Sequence, residues 1–136
     1  MFTIRSVLKD KFELVLRMGV FGAFLGHGIF ALEGKQQFIE MIQSMVPLDA
    51  AMATSLLFAI GVIDILVAFW VLLRPQRFVL AYATVWAFLT ALARITAGDP
   101  VWDFVERAAN WAAPLALLLY IQFKSKIRAK EVRVME

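Results

Sequence analysis

The sequence predicts an all-α integral membrane protein: a four-helix transmembrane bundle with both termini in the cytoplasm and a short amphipathic helix in the first outer loop. Three observations predict it. The chain is 62% hydrophobic and 18% charged, whereas soluble domains are about 25% charged. Four stretches approach the roughly 20 apolar residues that a spanning helix needs. The basic residues gather at the ends of those stretches, mostly on one side. With 136 residues there is room for a single transmembrane domain, 1–136. This composition excludes a disordered chain, a nucleic-acid-binding module and an ordinary soluble enzyme. Cysteine is absent, which removes disulfides, thiolate metal sites and iron–sulfur clusters.

The first span covers about 12–32 and contains Arg17 and His27. Further membrane segments follow it, so it reads as a retained helix rather than a cleaved signal. In the loop after it, Phe38, Ile39, Met41, Ile42, Met45 and Val46 recur at helical spacing. That pattern predicts a short amphipathic helix on the membrane surface, ended by Pro47. The second span, about 50–73, contains Asp64. A tight turn around Pro75 leads to the third, about 77–97, which contains Arg94. The next connection carries Gly98 and Pro100 as helix breakers, with Asp99 or Asp103 as candidate caps. The fourth span, about 104–123, opens with Glu106 and Arg107 and contains Pro114. A proline there predicts a kink.

Eleven of the fourteen basic residues lie at the amino end, in the Arg74–Arg77 turn or in the tail that starts at Lys124. The positive-inside rule places both termini in the cytoplasm, and an even number of spans agrees.

Ionisable residues within spans are costly and mark buried pairs or functional sites. Counted from the outer ends of their helices, Arg17 and Asp64 both lie roughly 20 Å deep. Opposite charges at one depth on consecutive antiparallel helices predict an intramembrane ion pair, Arg17 with Asp64. A second polar layer falls within about two turns of the outer face: His27, Arg94, Glu106, Arg107 and Asn110. The arginines there suit an anionic or carbonyl group, and an imidazole can exchange a proton near neutral pH. This layer is the candidate ligand-binding site, set against a plainer reading as a self-satisfied polar cap. A single histidine cannot make a metal site or a bis-histidine haem site, so no metal is expected, and no catalytic residue stands out. Gly19, Gly22 and Gly26 on the first helix form a small-residue stripe for helix packing, inside the bundle, to a second copy or to another protein. Ala83, Ala87 and Ala91 form a similar stripe on the third.

These residues resemble a known family. Leu16-Arg17-Met18-Gly19 followed by Gly26-His27-Gly28-Ile29-Phe30-Ala31-Leu32 is similar to the first helix of the DoxX-like family of small four-helix membrane proteins. In that family an acidic residue in the second helix precedes a hydrophobic run and a basic turn. The run from Gly61-Val62-Ile63-Asp64 to Leu73-Arg74-Pro75 is similar, with Asp64 where glutamate is more usual and with Ile65 and Leu66 in place of small residues. The resemblance implies that Arg17, His27 and Asp64 occupy family positions. It also implies a bacterial inner-membrane location and a role as an accessory or assembly subunit of a larger membrane complex, respiratory or redox. Two alternatives stand beside this: a quinone- or lipid-binding redox subunit with its polar site near the outer face, and a small transporter. No intrinsic cofactor is expected, only a quinone or bound lipid as ligand. The expected partners are the bilayer, other membrane subunits and a second copy of the chain, with no nucleic acid.

Overall fold

The computed structural model describes the backbone of residues 4–135 and the side chains of residues 11–133. Six helices and no strand occur among the described residues: α1 Ile4–Leu32, α2 Gln36–Met45, α3 Ala50–Leu73, α4 Arg77–Thr96, α5 Val101–Glu106 and α6 Ala108–Met135. Three stretches are long and apolar enough to cross a membrane: Lys11–Leu32, Ala50–Leu73 and Arg77–Thr96. Their outward faces are apolar too, with Val15, Leu66, Leu73 and Phe78 all exposed. A soluble domain does not present its longest apolar helices this way. The chain is a helical membrane protein.

The fourth expected span differs from the single helix of 104–123. Its first residues belong to α5, and the helix restarts after Arg107. Asn110 N–H then bonds back to the Arg107 carbonyl at 3.0 Å. The helix also runs on through the basic tail, and it is not among the stretches long and apolar enough to cross. Asn110 and Pro114 interrupt its outer half, and Gln122 and Lys124 close its apolar run. Pro114 is buried inside α6. Lacking an N–H, it leaves the Asn110 carbonyl without its usual helical donor.

Two glycines in the left-handed region end α1 and α4. Gly34 (φ 69°) follows α1 and Gly98 (φ 93°) follows α4. At each, the next residue bonds back five positions: Lys35 N–H to the Phe30 carbonyl at 3.1 Å, Asp99 N–H to the Arg94 carbonyl at 2.9 Å. This cap favours glycine because a Cβ would be strained there. Asp49 caps α3, accepting from Met52 N–H at 2.8 Å. Asp99 and Asp103 do not cap α5, whose N-cap is Pro100 with no side-chain bond. Asp99 is taken up by Arg94 and Gln37 instead.

The long helices contact one another in the order α3, α1, α6, α4, and α3 touches α4 only lightly. The pairing of α1 with α3 is antiparallel and close. A Cβ on Gly28 would lie 2.9 Å from the Gly61 carbonyl oxygen, and one on Gly61 would lie 2.9 Å from that of Gly28. Lipid is as apolar as leucine, so helices associate by close fit rather than by apolar burial. Gly28 and Gly61 supply that fit. Gly19, Gly22 and Gly26, expected to be the packing stripe, have nothing within 4 Å of an added Cβ. The Ala83, Ala87 and Ala91 stripe of α4 is buried.

The same contact fixes the register. Leu32, the outer end of α1, packs on Gly61, which lies eleven residues into α3, about 16 Å along it. The first three turns of α3 therefore extend past α1. They are covered by α2, whose Phe38, Ile39, Met41 and Ile42 are buried with Ala31, Ala53, Leu57 and Ala93. The amphipathic helix exists as the spacing predicts, but its apolar face lies on α3 and α4. A second apolar cluster, built from Val20, Val67, Val71, Leu80, Leu117 and their neighbours, fills the other half of the helix interior.

A His–Asp pair between two apolar clusters

The α1–α3 register brings together two side chains that the sequence had put at different depths. His27 Nδ1 lies 2.6 Å from Asp64 Oδ2. Asp64 is 1% exposed, and its Oδ1 is buried without a hydrogen-bond partner among the described residues. An imidazole beside a buried carboxylate donates its Nδ1–H, which fixes the tautomer and leaves Nε2 as an acceptor. The His27 ring stacks on Phe38 of α2, centroids 4.7 Å apart and planes at 30°. Carboxylate and phenyl ring together hold the imidazole in one orientation.

The pair faces a small chamber formed where α3 and α4 stand apart. All four long helices reach it: Phe24 and His27 from α1, Asp64 from α3, Trp86 and Thr90 from α4, Asn110 from α6. Its free volume for water centres is about 30 Å³, enough for a water or a small polar head. A neighbouring chamber of about 60 Å³ shares His27, Trp86 and Thr90. Its other walls are apolar, among them Met41, Ile42, Leu57 and Ile60. The indole N–H of Trp86 is buried with no acceptor. A buried polar group without a partner costs about 1–3 kcal/mol. Asp64 with its unpaired carboxylate oxygen, Trp86 with its unpaired N–H and the His27 imidazole thus all contribute to the chamber wall, beside an apolar recess.

The expected pairing of Arg17 with Asp64 does not occur. Arg17 is salt-bridged to Glu13 one turn earlier on α1, and it also donates to the Leu72 carbonyl at 3.3 Å. Glu13 takes a second cation from α6, Lys124 Nζ at 2.8 Å. The depth count failed because it assumed that α1 and α3 end level, whereas α3 projects about 16 Å beyond. Glu13 and Arg17, at i,i+4, share one face of α1.

The outer polar layer separates into parts. Arg94 is 6% exposed and lies 3.4 Å from Asp99 and 3.9 Å from Asp103. Gln37 of α2 donates to the same Asp99 oxygen at 3.3 Å, so this network ties α2 to the α4–α5 turn. Arg107 bonds the Asp103 carbonyl at 2.8 Å and lies 3.0 Å from Glu106. Glu106 is 69% exposed on its side chain. Of the five residues expected in that layer, His27 and Asn110 line the chamber, while Arg94, Arg107 and Glu106 form ion pairs around the α4–α5 turn. The chamber also takes Trp86 and Thr90, which carry no charge and sit in an apolar run. No group of three or more histidine, aspartate or glutamate side chains suited to a metal occurs among the described residues. Comparison with known protein families, with characterised proteins and with solved structures gives no match.

Proposed function

We propose that the chain is a DoxX-like four-helix transmembrane bundle of a bacterial inner membrane, with both termini in the cytoplasm. It binds the polar head of a quinone- or lipid-class molecule at His27 and Asp64, as a subunit of a larger membrane redox assembly. The observation that carries the ligand is Asp64, which is fully buried, hydrogen-bonded to His27 through one oxygen and unpaired at the other. A buried carboxylate oxygen without a protein partner calls for a water or a ligand group. The four-span reading rests on α6, which packs along both α1 and α4 and whose run from Trp111 to Ile121 carries no charge. The orientation rests on the basic residues of the termini and of the α3–α4 turn.

In this reading a quinone supplies the redox chemistry, and the residues of this chain orient its head and handle its proton. Trp86 N–H suits a carbonyl oxygen. Nε2 of His27 accepts from a hydroxyl, and the imidazolium that forms on proton transfer is stabilised by the Asp64 carboxylate. The apolar recess beside His27 receives the ring or its first substituents.

A second reading, the accessory or assembly subunit, is favoured by the open glycine face of α1. Gly19, Gly22 and Gly26 approach nothing within this chain, and such a face admits a neighbouring helix closely. The transporter reading gains no support. The cluster around Val20, Val71, Leu80 and Leu117 lies between the His27–Asp64 pair and the Glu13–Arg17 layer.

Titration of the detergent-solubilised protein with decylubiquinone, followed by tryptophan fluorescence, tests the ligand. Saturable quenching is expected, weakened about tenfold or more in Asp64→Asn and in His27→Gln, as loss of a charge-assisted hydrogen bond of about 1.5–3 kcal/mol requires. Unsaturable quenching, the same in all three proteins, sinks the ligand reading. If a larger co-purifying assembly is then lost in Gly22→Leu, the accessory reading takes its place.

A further inference from the structure

The opposite end of the molecule carries a second built feature. A cleft of about 460 Å³ opens between the start of α1, the α3–α4 turn and α6. Arg17, Arg74, Lys124 and Arg128 line it, against a single carboxylate, Glu13. Glu13 is already shared by Arg17 and Lys124. Neither Arg74 nor Arg128 pairs with an acid among the described residues. Among the described residues the cleft is therefore positive, with Arg74 and Arg128 left without an acid, and it lies at the ends of the apolar helices α3 and α4. Beside it, Leu73, Phe78 and Phe123 are 72%, 80% and 65% exposed. A soluble anion has no use for such flanks, and an acidic protein partner would meet them only with its own apolar surface. A lipid matches both halves, phosphate at the arginines and acyl chains along the leucine and phenylalanine side chains.

We propose that this cleft is a binding site for the phosphate of an anionic glycerophospholipid, drawn from the leaflet on the side of the chain termini. Arg74 and Arg128 supply the charge that holds the headgroup. Arg17 and Lys124 form the wall, kept in place by Glu13. The site is separate from the His27–Asp64 chamber and depends only on the membrane placement of the apolar helices. Basic pockets between helices recognise anionic headgroups in this way, at about 1 kcal/mol for each Lys or Arg near the surface, which is about fivefold in affinity.

The test uses the full chain in nanodiscs of phosphatidylcholine with a minor share of phosphatidylglycerol, released for native mass spectrometry. The intact protein is expected to retain phosphatidylglycerol well above its share in the disc. Arg74→Gln should reduce that enrichment about fivefold, and Arg74→Gln with Arg128→Gln about twentyfold. Arg74→Lys with Arg128→Lys should stay within about threefold of the original, which separates lost charge from lost folding. Inorganic phosphate at millimolar concentration should not displace the lipid. Equal retention of the two lipids overturns the proposal, as does enrichment that survives the double glutamine variant. Displacement by inorganic phosphate overturns it in favour of a free-anion site.

Discussion

Gly61→Val is expected to separate α1 from α3 and to destabilise the protein strongly. The new Cβ would lie 2.9 Å from the Gly28 carbonyl oxygen and 3.0 Å from the Leu32 side chain. The side chain of Leu32 can move, but the backbone oxygen of a packed helix cannot without shifting the helix. Overpacking of a fitted core costs about 1–3 kcal/mol, and a clash with backbone belongs at the top of that range or above it. Gly28→Val meets Gly61 from the other side, with Ile65 Cγ1 at 2.8 Å, and should behave alike. Gly22→Ala is the contrast. Its Cβ meets nothing, and alanine is favoured over glycine inside a helix by up to about 1 kcal/mol. Thermal unfolding in one detergent is the measurement. Gly61→Val should melt well below the parent protein and Gly22→Ala at or above it. The reverse order would mean that the α1–α3 register described here is wrong.

The second large effect concerns the buried pair. Removing His27 leaves the Asp64 carboxylate without its one hydrogen-bond partner, in a site that is 1% exposed. Leaving a buried hydrogen-bonding group without its partner costs about 1–3 kcal/mol, more for a charged group, whereas replacing both members by apolar groups of similar shape is often nearly neutral. His27→Leu alone is therefore expected to destabilise strongly, and His27→Leu with Asp64→Leu to recover much of the loss. The double variant separates the two roles of the pair. It should fold and pass the same unfolding assay, yet fail to bind decylubiquinone. If the double variant is no more stable than His27→Leu, the two residues are not coupled and the 2.6 Å contact is not what holds them.

The membrane class and the first three spans were legible because bilayer thickness writes itself directly into hydrophobic run length. The α2 helix was legible from Phe38, Ile39, Met41 and Ile42, whose spacing gives one apolar face. What that face would cover was not, since lipid and a neighbouring helix ask for the same side chains. The His27–Asp64 contact was not legible for a different reason. Depth was counted from helix ends, and nothing local in Ala50–Leu57 says that these turns rise above α1. The clue lay in the glycines, read by frequency rather than by face. Gly28 adjoins His27, and Gly61 precedes Asp64 by three residues, so the closest backbone approach and the polar pair were written side by side. The break at Arg107 and the Arg94, Asp99 and Asp103 network beside it join residues across a turn and leave no periodic trace. Trp86 does not stand out from the other aromatic residues in sequence, because a tryptophan in an apolar run reads first as core or lipid contact.

The central claim is that Asp64 holds His27 by Nδ1 and leaves Nε2 for a ligand. The chain contains one histidine, so nitrogen-15 NMR of the histidine-labelled protein in bilayers reports on this ring alone. The expected spectrum shows the proton on Nδ1 and an unprotonated Nε2. Asp64→Asn should disturb the Nδ1 signal, and decylubiquinol should shift Nε2 in the parent protein. A proton on Nε2, or a spectrum indifferent to both Asp64→Asn and the quinol, would contradict the account.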